Sequence, residues 1–173
     1  MKKALFVGIV FFIFSTNYVF AQSSYVLSYP SAMPGSIFYK FNLIKDEILK
    51  FWYFGDFGQF DYTLRESDKY LVEAKTLFDY KQYLLGHKAL LSSDRYFIKI
   101  KPALKSASKN GKNISAKQNL LKAAAGKHIE ELKKIKNAVP ESFEWAPEKD
   151  KPTNLELWKS IDRAINVREK FSL

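Results

Sequence analysis

The sequence predicts an all-α fold: a helical hairpin within a small bundle of four to five helices, preceded by a Pro-rich extended segment. The main observation is a run of residues spaced alternately by three and four positions, which is typical of one buried helix face: Phe57, Phe60, Leu64, Ser67, Leu71, Ala74 and Phe78. A short turn near Asp79 leads into a second helical pattern, and helices joined by so few residues pack antiparallel. Apolar and polar residues do not alternate over a useful length anywhere, so no sheet is predicted.

Two prolines and an apolar stripe define the first elements. Residues 22–37 form the predicted extended segment, because Pro30 and Pro34 lie only four positions apart and proline does not fit a helix interior. A helical domain is predicted to follow over residues 38–139. Its first helix carries an apolar stripe that we expect to face the core: Phe41, Ile44, Ile48 and Phe51 or Trp52.

Capping signals and prolines define the last elements. A capping box that begins at Ser115 predicts the start of a fourth helix, which ends near residue 138. Residues 140–152 contain three prolines and are predicted to be a linker. A second capping box, which begins at Thr153, predicts a C-terminal helix over residues 153–173.

The N-terminus has the order of regions found in a secretory signal peptide, predicted to cover residues 1–21. Met1-Lys2-Lys3 is basic, Ala4–Phe14 is apolar, and Val19-Phe20-Ala21 fits a cleavage site. The apolar run has 11 residues, whereas a membrane-spanning helix needs roughly 20. Cleavage is therefore expected, with an uncleaved anchor as the alternative. We expect an exported protein, periplasmic, cell-surface or extracellular, with no transmembrane helix after signal removal.

Composition excludes several classes of site. The chain has no cysteine, which rules out disulfides, thiolate metal ligands and cysteine nucleophiles. Removal of 21 of the 173 residues leaves 152, a length that suits one domain with a core large enough to fold without covalent staples.

Positive charge is concentrated in one region. Lysines and arginines number 28 against 18 aspartates and glutamates, and eleven lysines but only two glutamates lie between residues 99 and 136. Five lysines surround the predicted turn between the third and fourth helices: Lys105, Lys109, Lys112, Lys117 and Lys122. Such a field attracts polyanions, so the expected partners are anionic envelope polymer or lipid headgroups. The alternative is a solvated face that maintains solubility. Because arginine is preferred for shaped phosphate sites, no specific nucleic-acid recognition is expected.

The density of aromatic residues indicates a contact surface. Phe51-Trp52-Tyr53-Phe54 cannot all face a core, so Tyr53 or Phe54 is expected to be exposed and to contact a protein partner. Trp145, in the predicted linker, is a second expected contact residue.

The two histidines provide the main alternative function. Helical phasing places His87 and His128 on core-facing sides of different helices, where two imidazoles would serve as ligands of a metal or haem in the bundle. A hydrogen-bonded core histidine is the more common arrangement. Ser67, His87 and Asp94 also share inward faces, but the acid is two turns from the imidazole, which does not fit a catalytic triad. Asp94 is instead expected to pair with a nearby cation such as Arg95, Arg65 or a lysine.

A series of motifs in the first half of the chain resembles a known family. A Tyr-Pro pair, an apolar-Pro pair, a tyrosine that opens a helix and a hairpin rich in Leu, Ala, Glu and Arg occur in order: Tyr29-Pro30, Met33-Pro34, Tyr39, Leu64-Arg65-Glu66, Leu71, Glu73-Ala74 and Leu77. Over about residues 25–97 this arrangement resembles the exported bacterial helical family catalogued as domain of unknown function 5667. The resemblance implies an exported helical domain and brings no activity, cofactor or catalytic residue.

Together these observations predict a non-enzymatic, exported cell-envelope protein, a binding or structural module that needs no cofactor. The alternative from a different class is a small metal- or haem-binding helical protein that uses His87 and His128.

Overall fold

The computed structural model describes residues 25–28, 34–149 and 151–172. Within these residues the chain forms five helices and two short strands: α1 (Ile37–Trp52), α2 (Gly55–Asp79), α3 (Tyr83–Lys109), α4 (Ser115–Ala138), β1 (Ser142–Trp145), β2 (Thr153–Glu156) and α5 (Leu157–Ser172). The predicted all-α bundle is confirmed. The predicted leader, residues 1–21, and the Tyr29-Pro30 pair lie outside the described residues.

Helices α2 to α5 form a four-helix bundle in which successive helices run up and down. At one end, α2 and α3 approach so closely that a Cβ added to Gly86 would lie 2.8 Å from the ring of Phe78. At the other end, the start of α2 meets the α3–α4 turn, where Asn110 Nδ2 donates a hydrogen bond to Asp56 Oδ2 at 2.9 Å. We call these the hairpin end and the groove end of the bundle.

The interior contains two apolar clusters, one towards each end. The hairpin-end cluster includes Leu71, Leu77, Phe78, Leu90, Leu132, Leu157 and Ile161. The groove-end cluster includes Phe60, Leu64, Phe97, Ile100, Leu104, Leu121 and Ala125. Along each of the four helices, the positions between these clusters carry polar residues. We call these residues the polar layer: Ser67, Asp68, Ser93, Asp94, His128 and Arg168.

Arg168 is the centre of the polar layer, and its side chain is 0% exposed. Its guanidinium donates to Asp94 Oδ1 at 2.5 Å, to Ser93 Oγ at 2.8 Å and to His128 Nδ1 at 2.9 Å. It also lies over the ring of Phe97, 4.8 Å from the centroid. The prediction that Asp94 pairs with Arg95, Arg65 or a lysine is therefore wrong, because the partner comes from α5.

His128 extends the polar layer to the N-terminal segment. Its Nε2 lies 2.7 Å from Asp68 Oδ1, and the other carboxylate oxygen of Asp68 accepts a hydrogen bond from the Tyr25 hydroxyl at 2.5 Å. Because Nδ1 accepts from Arg168, the Nε2 nitrogen carries the proton. Residues 25–28 are thus tied to the bundle, and Leu27 packs against the hairpin-end cluster.

The predicted linker over residues 140–152 and the predicted start of the last helix at residue 153 are wrong. Residues 142–145 of the predicted linker and residues 153–156 of the predicted helix form an antiparallel pair of strands, with Phe143 opposite Leu155. Leu155 is buried in the hairpin-end cluster and Phe143 packs against it, so the sheet covers that cluster. Four-residue strands are too short to produce a recognisable alternation. The Ser115 capping box is also absent, since the N-cap residue of α4 is Ile114.

The predicted inward stripe of α1 is wrong as well. Ile44 and Ile48 are 60% and 59% exposed, and Phe41, Phe51 and Trp52 are more exposed still. The helix contacts α2 through its opposite, polar side, as described below. Among the described residues, none of the helices is both long enough and apolar enough to cross a membrane.

We predict that replacing Arg168 with methionine strongly destabilises the fold. Asp94 would keep a buried charge without a partner, and loss of one member of a buried ion pair typically costs about 3–5 kcal/mol. Urea unfolding of R168M measures the change. Arg163→Met, which removes an exposed arginine from the same helix, is the control, and similar unfolding free energies for the two variants would contradict the assignment.

We also predict that stability falls as pH drops from neutral towards 5. Burial, together with the charge of Arg168, lowers the pKa of His128 from 6.5 to about 4. Between pH 7 and pH 5, His128 becomes protonated in the unfolded chain but stays neutral in the folded chain. The unfolding free energy therefore decreases by about 2 kcal/mol over this range.

Urea unfolding at both pH values measures this loss. In His128→Gln the dependence on pH should flatten, whereas in His87→Gln most of it should remain, because His87 is only half-buried. An equally steep loss in H128Q would show that another group is responsible.

Candidate anion-binding groove

The structure separates the two histidines into different environments. His87 is half-buried and its Nε2 lies 2.9 Å from Ser160 Oγ, whereas His128 is fully buried with both ring nitrogens in hydrogen bonds. The described residues contain no group of three or more His, Cys, Asp or Glu side chains placed to hold a metal ion. No geometric observation therefore favours the metal or haem alternative.

Ser67 has no histidine beside it. Its hydroxyl donates to the carbonyl oxygen of Ser93 at 3.0 Å, and the Ser93 hydroxyl donates back to the carbonyl of Ser67 at 2.8 Å. These reciprocal bonds join α2 to α3 inside the polar layer. The three residues that could have formed a triad serve three separate contacts, because Asp94 binds Arg168 and His87 meets Ser160.

A groove of about 620 Å³ opens at the groove end, between the last turns of α3, the first turns of α4 and the end of α5. Its floor is apolar and is continuous with the groove-end cluster: Leu104, Ile114, Leu121 and Phe171. Its rim consists of lysines with a few neutral polar residues: Lys101, Lys105, Lys109, Lys122, Ser108, Gln118 and Asn119. An anion with an apolar portion would match both parts of this lining.

Among the described residues, the four rim lysines are not paired with any carboxylate. No aspartate or glutamate lines the groove, and in the part of the chain that the structure describes none of the four forms an ion pair. Lys101, Lys105 and Lys109 follow one another at intervals of four on α3, so they share one face of the helix. Within the described residues these three charges are therefore unpaired, and they are directed to one side.

The other two predicted lysines are paired. Lys112 Nζ lies 3.0 Å from Asp56 Oδ2, and Lys117 Nζ lies 2.5 Å from Asp61 Oδ1. Hydrogen bonds from Ser106, Asn110 and Lys112 lower the pKa of Asp56 to about 2, so this carboxylate is charged at any physiological pH. The structure thus divides the five lysines predicted from the sequence into three that line the groove and two that bind α2.

The predicted aromatic contact residues do not form one surface. Tyr53 is packed, with its ring 5.8 Å from that of Tyr62 and the Arg65 guanidinium 5.3 Å from its centroid. Phe54 is 83% exposed at the groove end. Trp145 lies on β1 at the hairpin end, and α4, which separates the two ends, is 24 residues long, or about 36 Å at 1.5 Å per residue.

Lys101 and Phe171 are among the groove residues that sequence reasoning did not single out. Lys101 belongs to the same four-residue spacing as Lys105, so the periodicity of α3 could have included it. Phe171 contributes to the floor because it follows Arg168 by one turn of α5 and meets the ring of Phe97 at 5.6 Å. No local signal marks that placement, since it depends on how α5 docks.

Comparisons with protein-family models, with curated proteins and with solved structures find no match. The resemblance to the exported helical family remains a prediction.

Proposed function

We propose that this protein is an exported, non-enzymatic binding module of the cell envelope, and that the groove holds an anionic ligand with an apolar portion. The observation that supports this proposal most directly is the set of four rim lysines above an apolar floor, none of them paired with a carboxylate of the described residues. Anionic lipids and lipid-linked envelope polymers both combine a phosphate or carboxylate with an acyl or similar chain, so they have the chemistry that this lining fits.

The lysine rim supports attraction by charge and not by a shaped phosphate site. Lysine presents a compact charge on a flexible stem, whereas arginine supplies a rigid fork for bidentate binding. The groove therefore favours a ligand whose anionic group is held loosely and whose apolar portion contributes contact area. Affinity should weaken as salt rises, because mobile ions screen exposed charges.

We predict that the triple variant K105Q/K109Q/K122Q binds such ligands about tenfold more weakly than the unaltered chain, since each exposed charge contributes modestly. Titration calorimetry with decyl phosphate, an anion with an apolar chain, measures the loss. Inorganic polyphosphate, which has no apolar portion, distinguishes a lipid-like ligand from a plain polyanion. Tighter binding of decyl phosphate per phosphate group supports the apolar floor.

Two matched controls make this prediction specific to the groove. The variant K81Q/K88Q/K133Q loses the same charge from exposed lysines outside the groove, and it should bind like the unaltered chain at moderate salt. K112Q/K117Q removes the two paired lysines and should affect binding less than the groove triple. Equal losses in all three variants, or no binding of either ligand, would contradict the proposal.

A further inference from the structure

Helix α1 contacts the bundle through its polar side. The Tyr39 hydroxyl donates to Glu73 Oε1 at 3.0 Å. Lys69 Nζ lies 2.5 Å from Asp46 Oδ2, and an Arg65 nitrogen lies 3.5 Å from the other oxygen of that carboxylate. A phenol and a carboxylate are therefore among the groups that α1 turns towards α2.

The opposite side of α1 is apolar and uncovered. Positions spaced by three and four share that side, and each is more than half exposed: Ile37, Phe41, Ile44, Ile48, Phe51 and Trp52. We call these residues the α1 apolar face. A contiguous apolar surface of this kind typically marks a contact with a partner or a membrane.

The charges around the α1 apolar face indicate what covers it. With 3.6 residues per turn, Lys40 and Lys45 lie on its two opposite borders. Asp46 is turned to the bundle, where Lys69 neutralises it, and Glu47 is paired with Lys50 at 3.4 Å. Lysine stems can follow an apolar surface while their amines reach anionic headgroups.

We propose that α1 is an interfacial helix whose apolar face enters the outer region of a lipid bilayer that contains anionic lipids. Phenylalanine, tryptophan and aliphatic residues on one side, with lysines at the borders, are the features of helices that lie in the plane of a membrane surface. The 16 residues of α1 span about 24 Å, which is too short to cross the hydrocarbon core.

A second copy of this chain fits the α1 apolar face less well. In a symmetric pair the same patch meets itself, so the lysine borders of the two copies would lie against each other, and each chain carries a net charge of +10. An anionic bilayer has the opposite charge. Charge complementarity therefore favours the membrane.

The end of α1 lies beside the basic groove. Phe54, 83% exposed, connects α1 to α2, and the next turn is held to the α3–α4 turn by Asp56, which binds Asn110 and Lys112. A bilayer that receives Phe51 and Trp52 would thus be adjacent to the groove. The inference stands on α1 alone and does not require the groove to bind an anion.

Quenching of Trp52 fluorescence by brominated lipids tests whether the α1 apolar face enters a bilayer. The vesicles contain phosphatidylcholine and phosphatidylglycerol. The Trp52-specific signal is the fluorescence quenching of the full chain minus the quenching of the W52F variant. We expect clear Trp52-specific quenching, and its loss in Ile44→Glu, which puts a charge on the α1 apolar face. Ile98→Glu is the matched control, because Ile98 is 55% exposed on α3 and Ile44 is 60% exposed on α1.

The design separates α1 from the other parts of the chain. I44E and I98E carry the same N-terminal residues, so binding through residues 1–24 cannot produce a difference between them. The K105Q/K109Q/K122Q variant should keep the Trp52-specific quenching even if its affinity for decyl phosphate falls. The two readouts therefore distinguish failure of the groove proposal from failure of the proposal that α1 binds a bilayer. Absence of Trp52 quenching, equal quenching in I44E and I98E, or a dimer in sedimentation that I44E dissociates would overturn the assignment to a bilayer.

Discussion

The fold depends on supplying hydrogen-bond acceptors and a counter-charge to one buried guanidinium, that of Arg168. Arg168 has a charge and five donors in a bundle interior. One nitrogen donates to the Ala164 carbonyl of its own helix, and side chains of other helices supply the other partners: Asp94 and Ser93 from α3 and His128 from α4. Sliding any of these helices by one turn would separate a donor from its acceptor and leave it buried without a partner, at a cost that apolar contacts alone would not impose. The polar layer therefore ties the register of the four helices. It also positions the groove, because Phe171 follows Arg168 by one turn and forms part of the groove floor.

Pairing within the fold decides where positive charge remains. Burial alone would raise the pKa of Glu131, but hydrogen bonds from Lys75, Lys134 and Lys127 lower it to about 2, so one carboxylate engages three lysines. Asp162 binds Lys136 at 2.6 Å, and Asp56 and Asp61 bind lysines at the groove end. Individual exposed pairs contribute little stability. Their main effect is to neutralise several lysines elsewhere on the bundle. The four rim lysines, which form no ion pair among the described residues, give the groove a local positive field.

The helices could be predicted from the sequence because their periodicity is local and each of α2 to α5 has a regular inner face. The partner of Asp94 could not, because Arg168 is 74 residues away and local spacing carries no information about which helices become neighbours. For the same reason the five lysines around the α3–α4 turn were identifiable as a group, while their division into paired and unpaired members required the position of Asp56 and Asp61 on α2. The β1–β2 pair was missed because Phe143 and Leu155 are the only inward residues on strands of four.

The orientation of α1 is another feature that local spacing in the sequence could not predict. Its apolar periodicity is as regular as that of α2, and periodicity measures amphipathicity without identifying what covers the apolar side. The outer side of α2 determines which side of α1 faces the bundle. It presents Arg65, Lys69 and Glu73 to α1, and an apolar stripe laid on these groups would remove them from water without supplying hydrogen bonds. Tyr39 and Asp46 do supply such bonds, so the polar side of α1 is selected and the apolar side is turned outwards.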